Sequence, residues 1–220
     1  MKFFRKIKKL IEETGFILFS KSNSFNFELV ESEEKLDMVY RLAWKIYVQE
    51  LKYANLEDYP EQKYYDEYDK YSVSFLALMR GKPIGTLRLI LSSPLGFYIE
   101  KDCSIIPPSI KPEKIAEISR FIILKKYRGN KRLISFGLLK KALEFSKQKK
   151  IDYWYALMSE RLKNSFSDYV AYIKPLECRE LTREELKKRE ILLEYYKTNN
   201  PIPYIIFLNG VEKKLKSKKE

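Results

Sequence analysis

Residues 117–124, Glu117-Ile118-Ser119-Arg120-Phe121-Ile122-Ile123-Leu124, open with charge and end in an unbroken apolar run. The run is β-branched and aromatic and reads as a buried strand over about 116–124. An upstream segment repeats the oddity, with Arg88 inside Ile84-Gly85-Thr86-Leu87-Arg88-Leu89-Ile90-Leu91. In a third, Asp66-Glu67-Tyr68-Asp69, a short helical turn would set both aspartates on one side. A charge in a sheet interior is costly unless it is paired. Together the three segments imply an organised polar site; taken singly, each also reads as a structural ion pair.

Working outward, Phe25 to Val30 alternates as a first strand. Ser32 can cap a helix with Glu33 and Glu34 in its first turn, and Val39, Leu42, Ala43, Ile46 and Tyr47 give that helix an apolar face. Residues 54–70 are polar, Tyr-rich and weakly periodic, and read as loop or short turns. A strand over 71–80, a hairpin turn at Gly81-Lys82-Pro83 and a strand over 84–91 follow. Residues 92–112 read as loop because of Pro94, Pro107, Pro108 and Pro112.

Beyond the central strand, a helix is expected from Leu133 to Gln148, a strand at Asp152–Met158 and a short helix at Glu160–Ser165. Further strands are expected at Val170–Ile173 and Pro203–Leu208, with a helix between them opened by a Thr182/Glu185 capping box. This order predicts one α/β domain, a mixed β-sheet with helices on both faces. Residues 1–20 predict an amphipathic helix that caps the core or lies on an anionic bilayer, and 211–220 a Lys-rich tail.

The chain has 220 residues, 45% hydrophobic and 33% charged, a soluble globular profile. It contains no His, which removes Ser-His-Asp and Cys-His relays and His-ligated metals. Any general base is a carboxylate, Lys, Tyr or water chain. Cys103 and Cys178 lack paired spacing and read as free thiols in a reducing cytosol. A net charge of +13 asks for an anionic partner: nucleic acid, anionic lipid or an acidic protein. No helix-turn-helix, zinc-finger or RNP motif is visible, so nucleic acid is not expected.

The ordered triplet D-x-x-D, Arg in a strand after Gly-Thr, and E-x-S-R-F resembles the autoinducer (acyl-homoserine-lactone) synthases. It equally resembles their relatives, the N-acyl amino acid synthases, within the GCN5-related N-acetyltransferase (GNAT) superfamily. The resemblance covers roughly Val39 to Met158. It implies a GNAT-like sheet whose two central strands splay apart to admit the acyl donor's pantetheine arm, with Phe121 and Tyr155 near that gap.

It further implies Glu117 as the base that takes the acceptor amine's proton, with Asp66 as second choice. Asp66, Asp69, Arg88 and Arg120 would form a network shaping the acceptor pocket, with Ser119, Phe121 and Trp154 lining it. Autoinducer synthases carry R-x-x-x-F and then a Trp six residues on. Here Tyr47 and Tyr53 fall at the aromatic positions and Ala43 where the Arg belongs, which favours the N-acyl amino acid branch.

Tyr127-Arg128-Gly129 resembles the start of the GNAT pyrophosphate loop without its second glycine. Lys125, Lys126, Arg128, Lys131 and Arg132 would then meet an acidic acyl carrier protein; a solvated charge run is their plain alternative. The expected activity is transfer of a long acyl group from acyl carrier protein, or acyl-coenzyme A, to the amine of a small acceptor. No cofactor or metal is expected to be bound. The protein would be cytoplasmic, with residues 1–20 as a possible membrane contact. The alternatives are acyl-homoserine-lactone synthesis from S-adenosylmethionine and a basic polyanion- or membrane-binding module without catalysis.

Overall fold

The computed structural model describes residues 25–103, 105, 108–166, 172–178 and 201–208. The expected helices at 1–20 and 182–196 and the 211–220 tail lie outside the described residues. Seven strands are described: β1 (Phe25–Leu29), β2 (Ser72–Met79), β3 (Lys82–Leu91), β4 (Ile115–Ile123), β5 (Tyr153–Met158), β6 (Tyr172–Pro175) and β7 (Ile202–Phe207). They form one mixed sheet in the order β1-β2-β3-β4-β5-β7-β6. Of the strand expected at Val170–Ile173, Tyr172 and Ile173 begin β6, which pairs with β7, and residues 170 and 171 lie outside the described residues.

Helix α1 (Glu33–Trp44) starts as its cap dictates, with Ser32 Oγ accepting the Lys35 N–H. Its buried Val39, Leu42 and Ala43 lie on one face of the sheet, against Leu76, Leu78 and Ile122. A helix over Lys131–Gln148 (numbered α3 below) packs on the other face. Its Ile134, Leu138, Leu139, Ala142 and Phe145 meet Phe75, Leu87, Leu89, Ala116 and Ile118. The fold is the expected GNAT-like α/β sandwich, with helices on both faces. Among the described residues no helix is long and apolar enough to cross a membrane.

Two expectations are corrected. The hairpin turn is Arg80-Gly81, not 81–83: both residues take positive φ, 50° and 76°, while Lys82 and Pro83 already belong to β3. A two-residue turn of that hand matches the right-handed twist of its strands. The proline-flanked loop contains a short helix, α2 (Tyr98–Cys103), because Phe97 and Ile99 bury themselves on the sheet. The helix at 131–148 is thus α3, and Glu160–Phe166 is α4. Past Trp44, α1 runs into a π-helical turn, Lys45–Glu50, marked by the bond from Leu51 N–H to the Ile46 carbonyl at 2.8 Å. Such turns recur at functional sites.

The centre of the sheet is divided. β4 and β5 run parallel and pair only from Ile115–Ile118 to Tyr153–Ala156. Beyond that point Ser119–Ile123 pairs with β3, while Leu157 and Met158 pair with β7. A gap therefore opens in the sheet directly after Ile118, at Ser119-Arg120.

Candidate active site

Strand β4 carries an irregularity where the gap begins. Thr86 pairs with Ile122 and Arg88 with Ser119, so one residue of β3, Leu87, faces two of β4, Arg120 and Phe121. Arg120 takes φ 44°, a left-handed conformation that costs a non-glycine residue of order 1–3 kcal/mol. The bulge turns Arg120 to the same face as Ser119, and Phe121 to the opposite face.

On the first face two strands and one turn converge. Asp66 caps the 3₁₀ turn Glu67–Tyr71, accepting the Tyr68 N–H at 3.0 Å, while Asp69 Oδ2 accepts the Asp66 N–H at 2.7 Å. This reciprocal cap fixes both carboxylates in one place. Arg88 donates through Nε to Ser119 Oγ at 2.8 Å, and through Nη1 to Asp66 Oδ1 at 2.8 Å and Asp69 Oδ1 at 3.2 Å. Arg120 donates through Nη1 to Asp69 Oδ1 at 2.8 Å, and through Nη2 to Asp66 Oδ2 at 2.9 Å and Asp69 Oδ2 at 3.0 Å.

Both arginines are almost completely buried, and their two charges are matched by two carboxylates. Burial works to raise the Asp66 carboxyl, but Arg88 and then Arg120 and the Tyr68 N–H outweigh it and hold it below the ordinary value. Asp66 is therefore ill-suited as a base: its lone pairs are engaged and its proton affinity is reduced.

An aromatic wall stands over the network. The Tyr64 ring lies 5.4 Å from Arg120 Cζ, and its neighbours Tyr47 and Tyr59 lie at ring separations of 5.3 and 5.2 Å. Tyr47 in turn stacks on Tyr53 at 6.2 Å. Burial pushes the Tyr64 phenol above its ordinary value, against the pull of Arg120, so it stays protonated. The resemblance to the autoinducer synthases implied Tyr47 and Tyr53 as an aromatic pair. Tyr64 was not singled out, since nothing in the Tyr-rich stretch distinguishes it before folding.

Glu117 points to the same face as Arg88, two residues before Ser119, and is 3% exposed. Its Oε2 accepts the Ile99 N–H of α2 at 3.0 Å. Its partners across the ladders are Ile90 on β3 and Tyr155 on β5, the latter one step before the two strands part. Tyr98 of the same helix packs edge-on to Tyr68 of the aspartate turn at 5.5 Å. A helix the sequence concealed thus braces both the glutamate and the ion network.

Two expected residues lie elsewhere. Trp154 is fully buried on the α3 face, its Nε1 donating to Ser146 Oγ at 2.9 Å. It is a core residue, because alternation along β5 turns it away from Tyr155 and from the network. Phe121 packs edge-on to Phe166 of α4 at 5.5 Å, also away from the network but beside the gap.

The basic run leaves β4 as a 3₁₀ turn, Lys125–Asn130. Lys125 and Lys126 are exposed, and Arg128 Nε donates to the Ile123 carbonyl at 3.2 Å while Nη2 lies 2.7 Å from Glu50 Oε1. Lys131 and Arg132 begin α3, and their side chains lie outside the described residues.

One comparison with known proteins shows the family, and another shows the fold. The family model described as N-acyl amino acid synthase FeeM matches residues 38–180. A sequence search of curated proteins finds no match. Among solved structures, a CoA-dependent acyl-homoserine lactone synthase, BjaI, with SAM and isopentyl-CoA, overlays with TM-score 0.61 at 19% identity over 89% of each chain. The AHL synthase LasI gives 0.61 at 15% over 84% of this chain and 90% of that one. FeeM, an N-acyl amino acid synthase from uncultured soil microbes, gives 0.55 at 12% over 84% and 90%. At such identities the overlays establish the shared fold, and the family match establishes the rest: the chain belongs to the N-acyl amino acid synthase FeeM family and is an acyltransferase.

Proposed function

We propose that the protein transfers an acyl group from the phosphopantetheine thioester of acyl carrier protein to the amine of a free amino acid or closely related small acceptor. One observation carries this reading: Glu117, Ser119 and Arg120 stand side by side where β4 and β5 part. A thioester entering the gap would present its carbonyl beside a buried carboxylate and an ordered network of paired charges.

In the proposed reaction Glu117, directly or through water, accepts a proton from the acceptor's ammonium group. The neutral amine attacks the thioester carbon, forming the C–N bond. Backbone N–H groups at the Arg120 bulge stabilise the oxyanion. Its collapse breaks the C–S bond, and the leaving thiolate takes up the second amine proton, yielding amide and thiol. Asp66, Asp69, Arg88 and Arg120 hold the acceptor pocket in shape, and Tyr47, Tyr53 and Tyr64 form its wall. Lys125, Lys126, Arg128, Lys131 and Arg132 meet the donor and its acidic carrier. These substrates place the enzyme in the cytoplasm.

The Tyr47–Tyr53 stack favours one second reading. It occupies the positions that resemble the aromatic pair of autoinducer synthases, which would make the acceptor S-adenosylmethionine and the product an acyl-homoserine lactone.

The test is mass spectrometry of products from purified protein, long-chain acyl carrier protein or acyl-coenzyme A, mixed amino acids and S-adenosylmethionine. An N-acyl amino acid that disappears in Glu117→Gln supports the first reading, and acyl-homoserine lactone supports the second. Intact thioester with every donor overturns both.

A further inference from the structure

The π-helical turn Lys45–Glu50 and the basic turn Lys125–Asn130 are joined through one ion pair, Glu50 Oε1 to Arg128 Nη2 at 2.7 Å. The two turns belong to opposite sides of the proposed reaction. The first carries Tyr47, packed on Tyr64 and through it on Arg120, so it is part of the acceptor wall. The second follows β4 at the mouth of the gap, where the donor's phosphate is expected. Arg128 is held there at two points, by Glu50 and by the Ile123 carbonyl at 3.2 Å. A guanidinium has five N–H groups in a fixed plane, so two anchors set its orientation and leave other N–H groups for an anion.

The pair is not explained by stability. Its side chains are 43% and 27% exposed, and ion pairs so open to water contribute little to folding. Beside it, Lys45, Gln49 and Glu50 line an open cleft of about 370 Å³, which adds a second cation and space for a ligand group. The glutamate also closes a π-helical turn, an arrangement seldom kept without a functional reason.

We propose that Glu50 is a positioning residue for the acyl donor: through Arg128 it fixes the phosphate-receiving turn against the acceptor wall. The ligand group is the phosphate of a phosphopantetheine arm, whether on a carrier protein or in coenzyme A. Glu50 touches neither substrate, and it acts by keeping the Arg128 guanidinium aimed at the gap. The proposal rests on the donor assignment made above, so its test needs a readout that does not depend on turnover.

Two measurements are made on the full chain and on Glu50→Ala and Glu50→Gln. Steady-state kinetics compare acyl-phosphopantetheine with acyl-pantetheine, which lacks the phosphate. Calorimetry compares binding of free phosphopantetheine and pantetheine. In Glu50→Ala the KM for the phosphate-bearing donor rises about five- to tenfold, with kcat nearly unchanged and no matching change for the dephosphorylated donor. Glu50→Gln, which keeps an oxygen facing Arg128, recovers part of that loss. Calorimetry shows the same selective weakening for phosphopantetheine. Acyl carrier protein and acyl-coenzyme A, run as further donors, show which source of the phosphate is used.

Equal losses with both donors, tracking a lower Tm, would make the pair merely structural and overturn the proposal. Tighter phosphopantetheine binding in Glu50→Ala would overturn it too, since Glu50 would then compete with the phosphate. If the wild type transfers no acyl group, the proposed function fails by itself, and calorimetry still decides the role of Glu50.

Discussion

Ser119 and Arg120 are neighbours in sequence yet serve the same face of the sheet. Ser119 Oγ receives Arg88 Nε at 2.8 Å, and Arg120 Nη2 reaches Asp66 Oδ2, the second oxygen of the carboxylate Arg88 holds, at 2.9 Å. Regular alternation along a strand forbids this. The bulge at φ 44° permits it, and the ion network offsets the backbone cost.

Asp69→Ala should be among the most damaging single substitutions in the molecule. It strips both arginines of a partner where they are nearly buried, and breaking a buried pair costs about 3–5 kcal/mol. Denaturant unfolding followed by circular dichroism measures it. A loss under about 1 kcal/mol would mean that water or a rearranged Asp66 replaces the missing carboxylate.

The same network predicts acid sensitivity. The Asp66 carboxyl is held below its ordinary value by Arg88 and Arg120 in the folded state. Its stabilising contribution is thus fully present above the unfolded-state value, about pH 4, and is lost as pH falls through the lower folded value. Thermal melts from neutral to acid pH should show a steep acid limb in the wild type. Asp66→Asn should be less stable at neutral pH and lose less on acidification; parallel curves would remove Asp66 from the pH dependence.

Glu117→Gln separates chemistry from architecture. The substituted amide oxygen can still accept the Ile99 N–H, so α2 stays docked and Tm changes little. Loss of the proton acceptor should lower kcat about a hundred- to ten-thousandfold. A variant that keeps most of its kcat would assign the base to another group or to water alone.

Trp154→Phe tests the corrected placement of that residue. It removes the bond from Nε1 to Ser146 Oγ and leaves a buried hydroxyl unpaired, a cost of about 1–3 kcal/mol. The acceptor's KM should not move, because Trp154 faces α3. A clear rise in that KM at unchanged stability would return Trp154 to the pocket wall.

Much of the scaffold was legible before folding. The apolar runs at 71–80, 84–91, 116–124 and 152–158 name their strands to within a residue or two, and Ser32 names the start of α1. Such signals are local, carried by side-chain periodicity and by one hydroxyl satisfying one N–H. The hidden pieces depend on distant partners. The helix at Tyr98–Cys103 forms where the sheet offers Phe97 and Ile99 a surface, and prolines on either side mask the signal. The π-helical turn is set by the packing of Ile46 and Tyr47, which no local period reports.

By itself the sequence determined that no histidine can carry proton transfer, which leaves a carboxylate, Lys, Tyr or water, and that charges embedded in strands must pair. Its ordered triplet carried the resemblance to the family that the match over residues 38–180 shows. Tertiary structure alone decided what each carboxylate is bound to. Asp66 and Asp69 are bound to two arginines by a bulge that reverses one residue's facing, whereas Glu117 is held apart by a backbone N–H from a helix 18 residues upstream. The same three carboxylates in a different register would carry the same formal charges and meet different partners. Proton affinity is set by burial and by the nearest charge, and both exist only once the chain has folded.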